Sequence, residues 1–306
     1  MTGGRDAPPL EVVEYTDPMC PWAWGSEPVF RRLRTALAGT VRWRRAYAVL
    51  FDDEVDDPAP DPAAETAWYA GYVEQICSHT GAPRAAVLSR VAASSWPSSL
   101  VAVAAELQGA DVAERVLRRL RETVFVLGEP ADTLDSAVAA TRGVPGLDTD
   151  RLRYDAASGG VRERVRADRA EARRPVPEVR SVQSESPHPG AAKETSDGGF
   201  RYALPTLLVR APSGHRAVPG WRPYAAYAAV FEELRPGLLA PSAPRSPAEA
   251  LERDRSLTEP ERELLAEGPW PPPGAVPVRT ANGHVWLHPD EASVHPAAPS
   301  RPSARP

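Results

Sequence analysis

Glu11-Val12-Val13-Glu14-Tyr15-Thr16-Asp17-Pro18-Met19-Cys20-Pro21-Trp22-Ala23 begins as an apolar, strand-like run, passes a thiol and enters a helix. The helical pattern continues through Val29, Phe30, Leu33 and Leu37. A cysteine at a strand-to-helix turn lies where backbone N–H groups and the helix dipole favour the thiolate, its nucleophilic form. A low pKa for Cys20 follows from that placement. The spacing Cys20-Pro21-Trp22-Ala23 puts alanine where a two-cysteine redox motif carries its resolving thiol. Thiol chemistry here is therefore expected to run through Cys20 alone and to be finished by an outside thiol.

Outward from this stretch the order reads strand, helix, strand, a long helical region, two strands, a helix and an appended segment. Val41 to Leu50 is β-rich, and the acidic, proline-rich run from Asp52 to Pro62 is a loop. From about Ala63 to Arg173 the period is helical. Tyr69, Tyr72, Val73, Ile76 and Cys77 share a face, as do Leu100, Val103, Ala104 and Leu107, and then Ala113, Val116, Leu117, Leu120 and Val124. Thr133–Arg142 and Asp150–Arg173 read as further helices, the last strongly charged and solvent-facing. Residues 174–199 have no periodicity and many breakers, which predicts a mobile loop. Arg201 to Val209 is a buried strand with Pro205 at its entry, His215 to Gly220 a return strand, and Tyr224 to Leu234 a helix.

Beyond Pro236 the composition changes. Two short helices (about 247–254 and 258–267) precede a hairpin, Val276–Arg279 with His284–Leu287 around Asn282-Gly283. That pattern suggests a small winged-helix-like module at about 246–290, followed by a disordered tail.

Bulk properties narrow the function. With 306 residues there is room for a substantial domain and a smaller one. A net charge of −5 points away from nucleic acid and anionic membranes. Lys193 is the sole lysine among 36 basic residues, a bias expected of a GC-rich genome rather than of arginine chemistry. No apolar run approaches the roughly 18 residues of a membrane helix, and the first nine residues lack a secretory signal's apolar region. Two cysteines, Cys20 and Cys77, are too few for a disulfide framework. A cytoplasmic location is expected. The six histidines show no metal-ligand spacing, so no metal site is expected.

The stretch from Tyr15 to Pro28 (YTDPMCPWAWGSEP) resembles the opening of the DsbA-like family of thioredoxin-fold proteins, in its cytoplasmic branch. Ser95-Trp96-Pro97 to Gln108-Gly109, Leu120-Arg121-Glu122 to Phe125, Gly146-Leu147-Asp148, Leu204-Pro205-Thr206 and Val218-Pro219-Gly220 extend the likeness over roughly residues 10–235. The resemblance implies an α/β thioredoxin fold with a mixed central sheet, residues 10–52 and 200–236. A helical domain, residues 53–173, is inserted between its βαβ and ββα halves, and residues 237–306 form an extension. It also implies that Pro205 is cis, faces Cys20, and leaves the Leu204 backbone free for an extended peptide or a glutathione-like thiol. Two features depart from the family: Ala23 replaces a cysteine, and the 174–199 segment is unusually long just before the cis-proline. That segment can cover the site, fold upon a partner, or do neither.

The candidate site is thus catalytic Cys20, with Pro21, Trp22, Ala23, Leu204 and Pro205 presenting the substrate. Trp24 is read as packing beneath the helix, Asp17 as a turn or cap residue, and Cys77 as a buried inert thiol. The leading expectation is a thiol–disulfide oxidoreductase or thiol transferase acting on a protein thiol or disulfide or a small thiol. It has no tightly bound cofactor and uses a low-molecular-weight thiol, glutathione or mycothiol, as co-substrate. A non-catalytic adaptor that binds a protein partner is the alternative. The resemblance also extends to kappa-class glutathione transferases and chromene-carboxylate isomerases.

Overall fold

The branched and aromatic residues of Leu10–Thr16 suit a strand buried on both faces, and β1 (Leu10–Thr16) is the inner strand of the main sheet. The computed structural model describes residues 10–239 and 244–298. α1 (Pro21–Ala36) follows β1 directly, begins with a proline at its first position, and leads to β2 (Val41–Tyr47), which pairs parallel with β1. Six helices come next: α2 (Pro62–Thr80), α3 (Trp96–Glu106), α4 (Ala110–Phe125), α5 (Leu134–Ala140), α6 (Thr149–Ala156) and α7 (Gly159–Ala172). A two-residue ladder of β3 (Lys193–Glu194) and β4 (Phe200–Arg201) precedes β5 (Thr206–Ala211), β6 (Gly214–Pro219) and α8 (Tyr224–Leu234). The sheet order is β2-β1-β5-β6, with β5 antiparallel to both β1 and β6. This is the mixed α/β sheet of a thioredoxin fold, interrupted after its βαβ half by helices.

Period-2 alternation in β1 divides the core. Leu10 and Val12 face α1 and α8 with Val29, Phe30, Leu33, Tyr227 and Phe231, whereas Val13 and Tyr15 face Cys20, Trp22, Tyr202 and Leu204. Cys20 therefore lies in the second layer. α3 to α7 enclose a core of their own around Val101, Val116, Leu117, Leu120, Leu152 and Val165. Leu107 departs from the expected stripe: α3 ends at Glu106, and Leu107 is 55% exposed on the following turn. Nor is the last charged helix simply solvent-facing. α7 buries Val161, Val165 and Ala172, and its Arg169 and Glu171, with Arg173 just beyond its end, reach Asp52, Arg44 and Tyr15.

Helices α1 and α2 touch backbone to side chain at Gly25, where a Cβ would lie 2.6 Å from Thr80 Cγ2. Threonine is stiff at χ1 and cannot swing aside. Gly25→Ala is therefore expected to lower stability by about 1–3 kcal/mol, seen as a fall in thermal midpoint.

The appended segment folds onto this body. α9 (Pro247–Asp254), β7 (Ser256–Thr258), α10 (Glu259–Leu265), β8 (Val276–Thr280), β9 (Gly283–Leu287) and α11 (Pro289–Ala292) carry it to the end of the described chain. β8 and β9 turn at Ala281-Asn282 and take a third strand, β7, which the composition did not reveal. Contrary to the expected disordered tail, residues 293–298 turn back and bury His295 against Glu122. The expectation for residues 299–306 lies outside the described residues.

A thiol site at the cis-proline edge

Cys20 caps α1 with extended backbone (φ −85°, ψ 117°), so the helix rises from the sulfur. The backbone N–H groups of Trp22 and Ala23 favour its thiolate, as a helix start predicts. Burial overrides them. Cys20 is only 4% exposed; desolvation, reinforced by the nearby Asp17 carboxylate and opposed by Arg201, pushes its thiol up to about 11. The expected low pKa is thus reversed. At neutral pH Cys20 is a protonated thiol, and its Sγ donates to the Leu204 carbonyl at 3.7 Å.

That contact brings the two halves of the site together across 184 residues of sequence. The Leu204–Pro205 peptide is cis, and the Pro205 carbonyl accepts the Gly220 N–H at 2.7 Å. Pro21, Trp22, Ala23, Leu204 and Pro205 are all buried around Cys20, so the residues read from the sequence do converge. Leu204 is not free, however. His188, in the segment 174–199, also donates to its carbonyl, from Nε2 at 2.9 Å. The same segment is anchored by a 3₁₀ turn at Pro177–Val179, by the Ala192 N–H on the Val179 carbonyl, and by Ser196 on Asp56.

Aromatic rings wall the sulfur. Trp22 donates from Nε1 to the Tyr72 hydroxyl at 2.9 Å and meets His188 edge-on at 4.9 Å; Trp221 meets His79 at 4.6 Å. Trp68, 66% exposed, stacks on Tyr72 and extends this wall to solvent. Trp24 plays no part in it. Its Nε1 donates to the Pro83 carbonyl, and its ring lies between Phe125 and the Arg118 guanidinium. Cys77 is a free, fully buried thiol, pushed up to about 12 by burial.

Asp17 is the framework of the turn. Its carboxylate accepts the Met19 and Leu50 N–H groups and the Ser95 hydroxyl at 2.7–3.1 Å. Desolvation nevertheless pushes it up to about 6. His79, His188, Arg201 and Trp221 were missed in the sequence. His188 sits between prolines in an aperiodic stretch, where a histidine carries no signal of its own.

This sheet, the cis-proline loop and the inserted helices define a DsbA-like thioredoxin fold. The family model of thioredoxin matches residues 14–174, and the chain belongs to that family. Among curated proteins it is similar to the ClpXP adapter protein SpxH of Shouchella clausii, 27% identical over 162 residues, 52% of this chain and 52% of that protein. SpxH of Halalkalibacterium halodurans matches at 28% over 163 residues, 52% of this chain and 53% of that protein. The chain thus spans about half the length of the curated relatives it matches. A Nitrosomonas europaea structure assigned as a protein disulfide isomerase superposes with a TM-score of 0.57 at 15% identity, covering 74% of this chain and 97% of that one. A Streptomyces coelicolor structure assigned as a DsbA oxidoreductase gives 0.50 at 16%, covering 78% and 94%. At such identities these two speak for the fold alone. No described helix is long and apolar enough to cross a membrane.

Proposed function

We propose that this protein holds an extended segment of a protein partner at the Cys20–Leu204–Pro205 edge, with Cys20 as a hydrogen-bonding thiol and not a resting nucleophile. The observation that carries this reading is the buried, protonated sulfur donating to Leu204, with alanine where a resolving thiol would stand. An extended peptide adds backbone hydrogen bonds to a strand-like edge such as the Leu204 backbone, whose carbonyl His188 now covers, and rings such as Trp22, Tyr72 and Trp68 give its side chains a surface. The adapter role named for the curated relatives fits the same use of the fold.

A single-cysteine oxidoreductase is the second reading, favoured by the position of Cys20 at the start of α1. In that reaction the Cys20 thiolate attacks a substrate disulfide, forms a mixed disulfide and expels the other sulfur as a thiolate. A small thiol such as glutathione or mycothiol then attacks the mixed disulfide and releases Cys20.

Turnover of a glutathionylated peptide in excess glutathione separates the two. Wild type and Cys20→Ser are expected to match the uncatalysed rate, and a Cys20-dependent acceleration would overturn the proposal. Binding to arrays of short extended peptides is expected to survive Cys20→Ser and to fall in Trp22→Ala.

A further inference from the structure

Between residues 181 and 199 only His188 and Gly190 are buried. Everything else in this stretch is exposed or half-buried, and within it the His188 imidazole is the side chain that reaches the Leu204 carbonyl. Its contacts are specific. Nε2–H donates to the Leu204 carbonyl, Nδ1 accepts the Gly190 N–H at 3.1 Å, and the ring packs edge-on against Trp22. Donor on one nitrogen and acceptor on the other define a neutral imidazole. The ring fits under Gly220, where a Cβ would come within 2.5 Å of Nδ1. Arg222 clamps the backbone on either side, donating to the His188 carbonyl at 2.8 Å and the Pro189 carbonyl at 3.3 Å, while Ser186 donates to the Trp221 carbonyl. Val182 and Ala192 close the flanks by packing on the cluster that contains Cys20 and Trp22.

The local sequence, Ser186-Pro187-His188-Pro189-Gly190, sets one histidine between two prolines. The chain bends through residues 185–188, with the Ser186 N–H on Ser184 Oγ and the His188 N–H on Ser186 Oγ, and this bend turns the imidazole toward Leu204.

We infer that residues 182–192 are an internal occupant of the Leu204 edge, which an incoming extended, proline-flanked segment bearing a polar hydrogen-bond donor has to displace. The inference rests on the segment-holding reading for the nature of the displacing partner. Its core, that this stretch is what closes the site, stands on the contacts above. Opening removes the His188 donor from Leu204 and uncovers Cys20 together with the Trp22 face; nothing in the sheet has to move.

Maleimide labelling of Cys20 in the full chain at pH 8 tests it. His188→Ala is expected to raise the labelling rate about tenfold or more, the population shift that one lost buried hydrogen bond produces. Arg222→Ala, which leaves His188 itself intact, is expected to raise it as well. His188→Gln, whose amide can reach the Leu204 carbonyl, should stay near wild type. A synthetic peptide copying residues 182–192 should bind the His188→Ala protein and slow its labelling again. Unchanged labelling in both His188→Ala and Arg222→Ala overturns the inference. Raised labelling without peptide binding upholds the cover and counts against the segment-holding function, so the two failures are distinguishable.

Discussion

Iodoacetamide at pH 8 is expected to alkylate Cys20 of the folded protein about 100-fold more slowly than an unperturbed thiol, because each pKa unit above the ordinary value costs a factor of ten in thiolate. The ordinary value is 9.0 and burial carries Cys20 to about 11. The rate should therefore climb tenfold per pH unit from 8 to 10 without reaching a plateau. Denaturant should restore the rate of a free cysteine. Cys77, pushed up to about 12, stays silent in the native state, and Cys20→Ser gives the blank. Asp17 supplies a second handle. Its carboxylate is ionised at pH 8, above its value of about 6, and raises the thiol's pKa. Asp17→Asn removes that charge and is expected to speed labelling several-fold at the same pH. A plateau near pH 7 in the wild-type profile would mean that the helix start governs the sulfur after all, and would restore the nucleophilic reading.

The reversal shows what was legible and what was not. Local chemistry was readable: the run into Cys20 gave the strand, the turn and the helix, and the α4 stripe from Ala113 to Val124 is buried throughout. Asn282-Gly283 marked the hairpin of β8 and β9 one residue late, since the turn is Ala281-Asn282 and Gly283 already pairs with Thr280. The convergence of Cys20 with Leu204 came only through family resemblance, since no spacing rule brings together positions 184 residues apart. The protonation state of the sulfur was out of reach for the same reason. A helix start is written in the next few residues, but burial is decided by what lies over them, here Trp22, His188 and the rings beyond. His188 had no period to reveal it. β7, three residues long, is too short to alternate. The expected disorder of the tail fails at residues 293–298, where His295 meets the buried Glu122 carboxylate.

That carboxylate belongs to the feature with the largest expected effect on stability, the buried ionic network joining the C-terminal segment to the thioredoxin body. Glu261 of α10 accepts both guanidinium nitrogens of Arg118 at 2.9 and 3.1 Å, one from Arg31 at 2.9 Å, and the Thr258 N–H and hydroxyl. Arg118 also meets Glu122, which accepts from Ser256 and holds His295. Glu261 is completely buried and Arg118 nearly so. Such a network adds little over an apolar core of the same shape, but removing one partner strands the others without water. Glu261→Ala is therefore expected to cost about 3–5 kcal/mol, read as a lower thermal midpoint. Glu261→Gln keeps acceptor and shape and should cost less. The pH dependence has a definite sign. Burial works to raise the Glu122 pKa, but Arg118, His295 and Ser256 together hold it well below the usual carboxylate range. A group depressed in the folded state contributes stability above its unfolded value, about 4.3, and loses it as pH falls further. Glu27, held down against burial by Arg34, Arg121 and Arg31, adds to the same loss. Denaturation midpoints should thus fall on acidification below about pH 4.3. In Glu261→Ala, Arg118 keeps Glu122 and Arg31 keeps Glu27, so the acid-induced fall should remain and start from a lower midpoint.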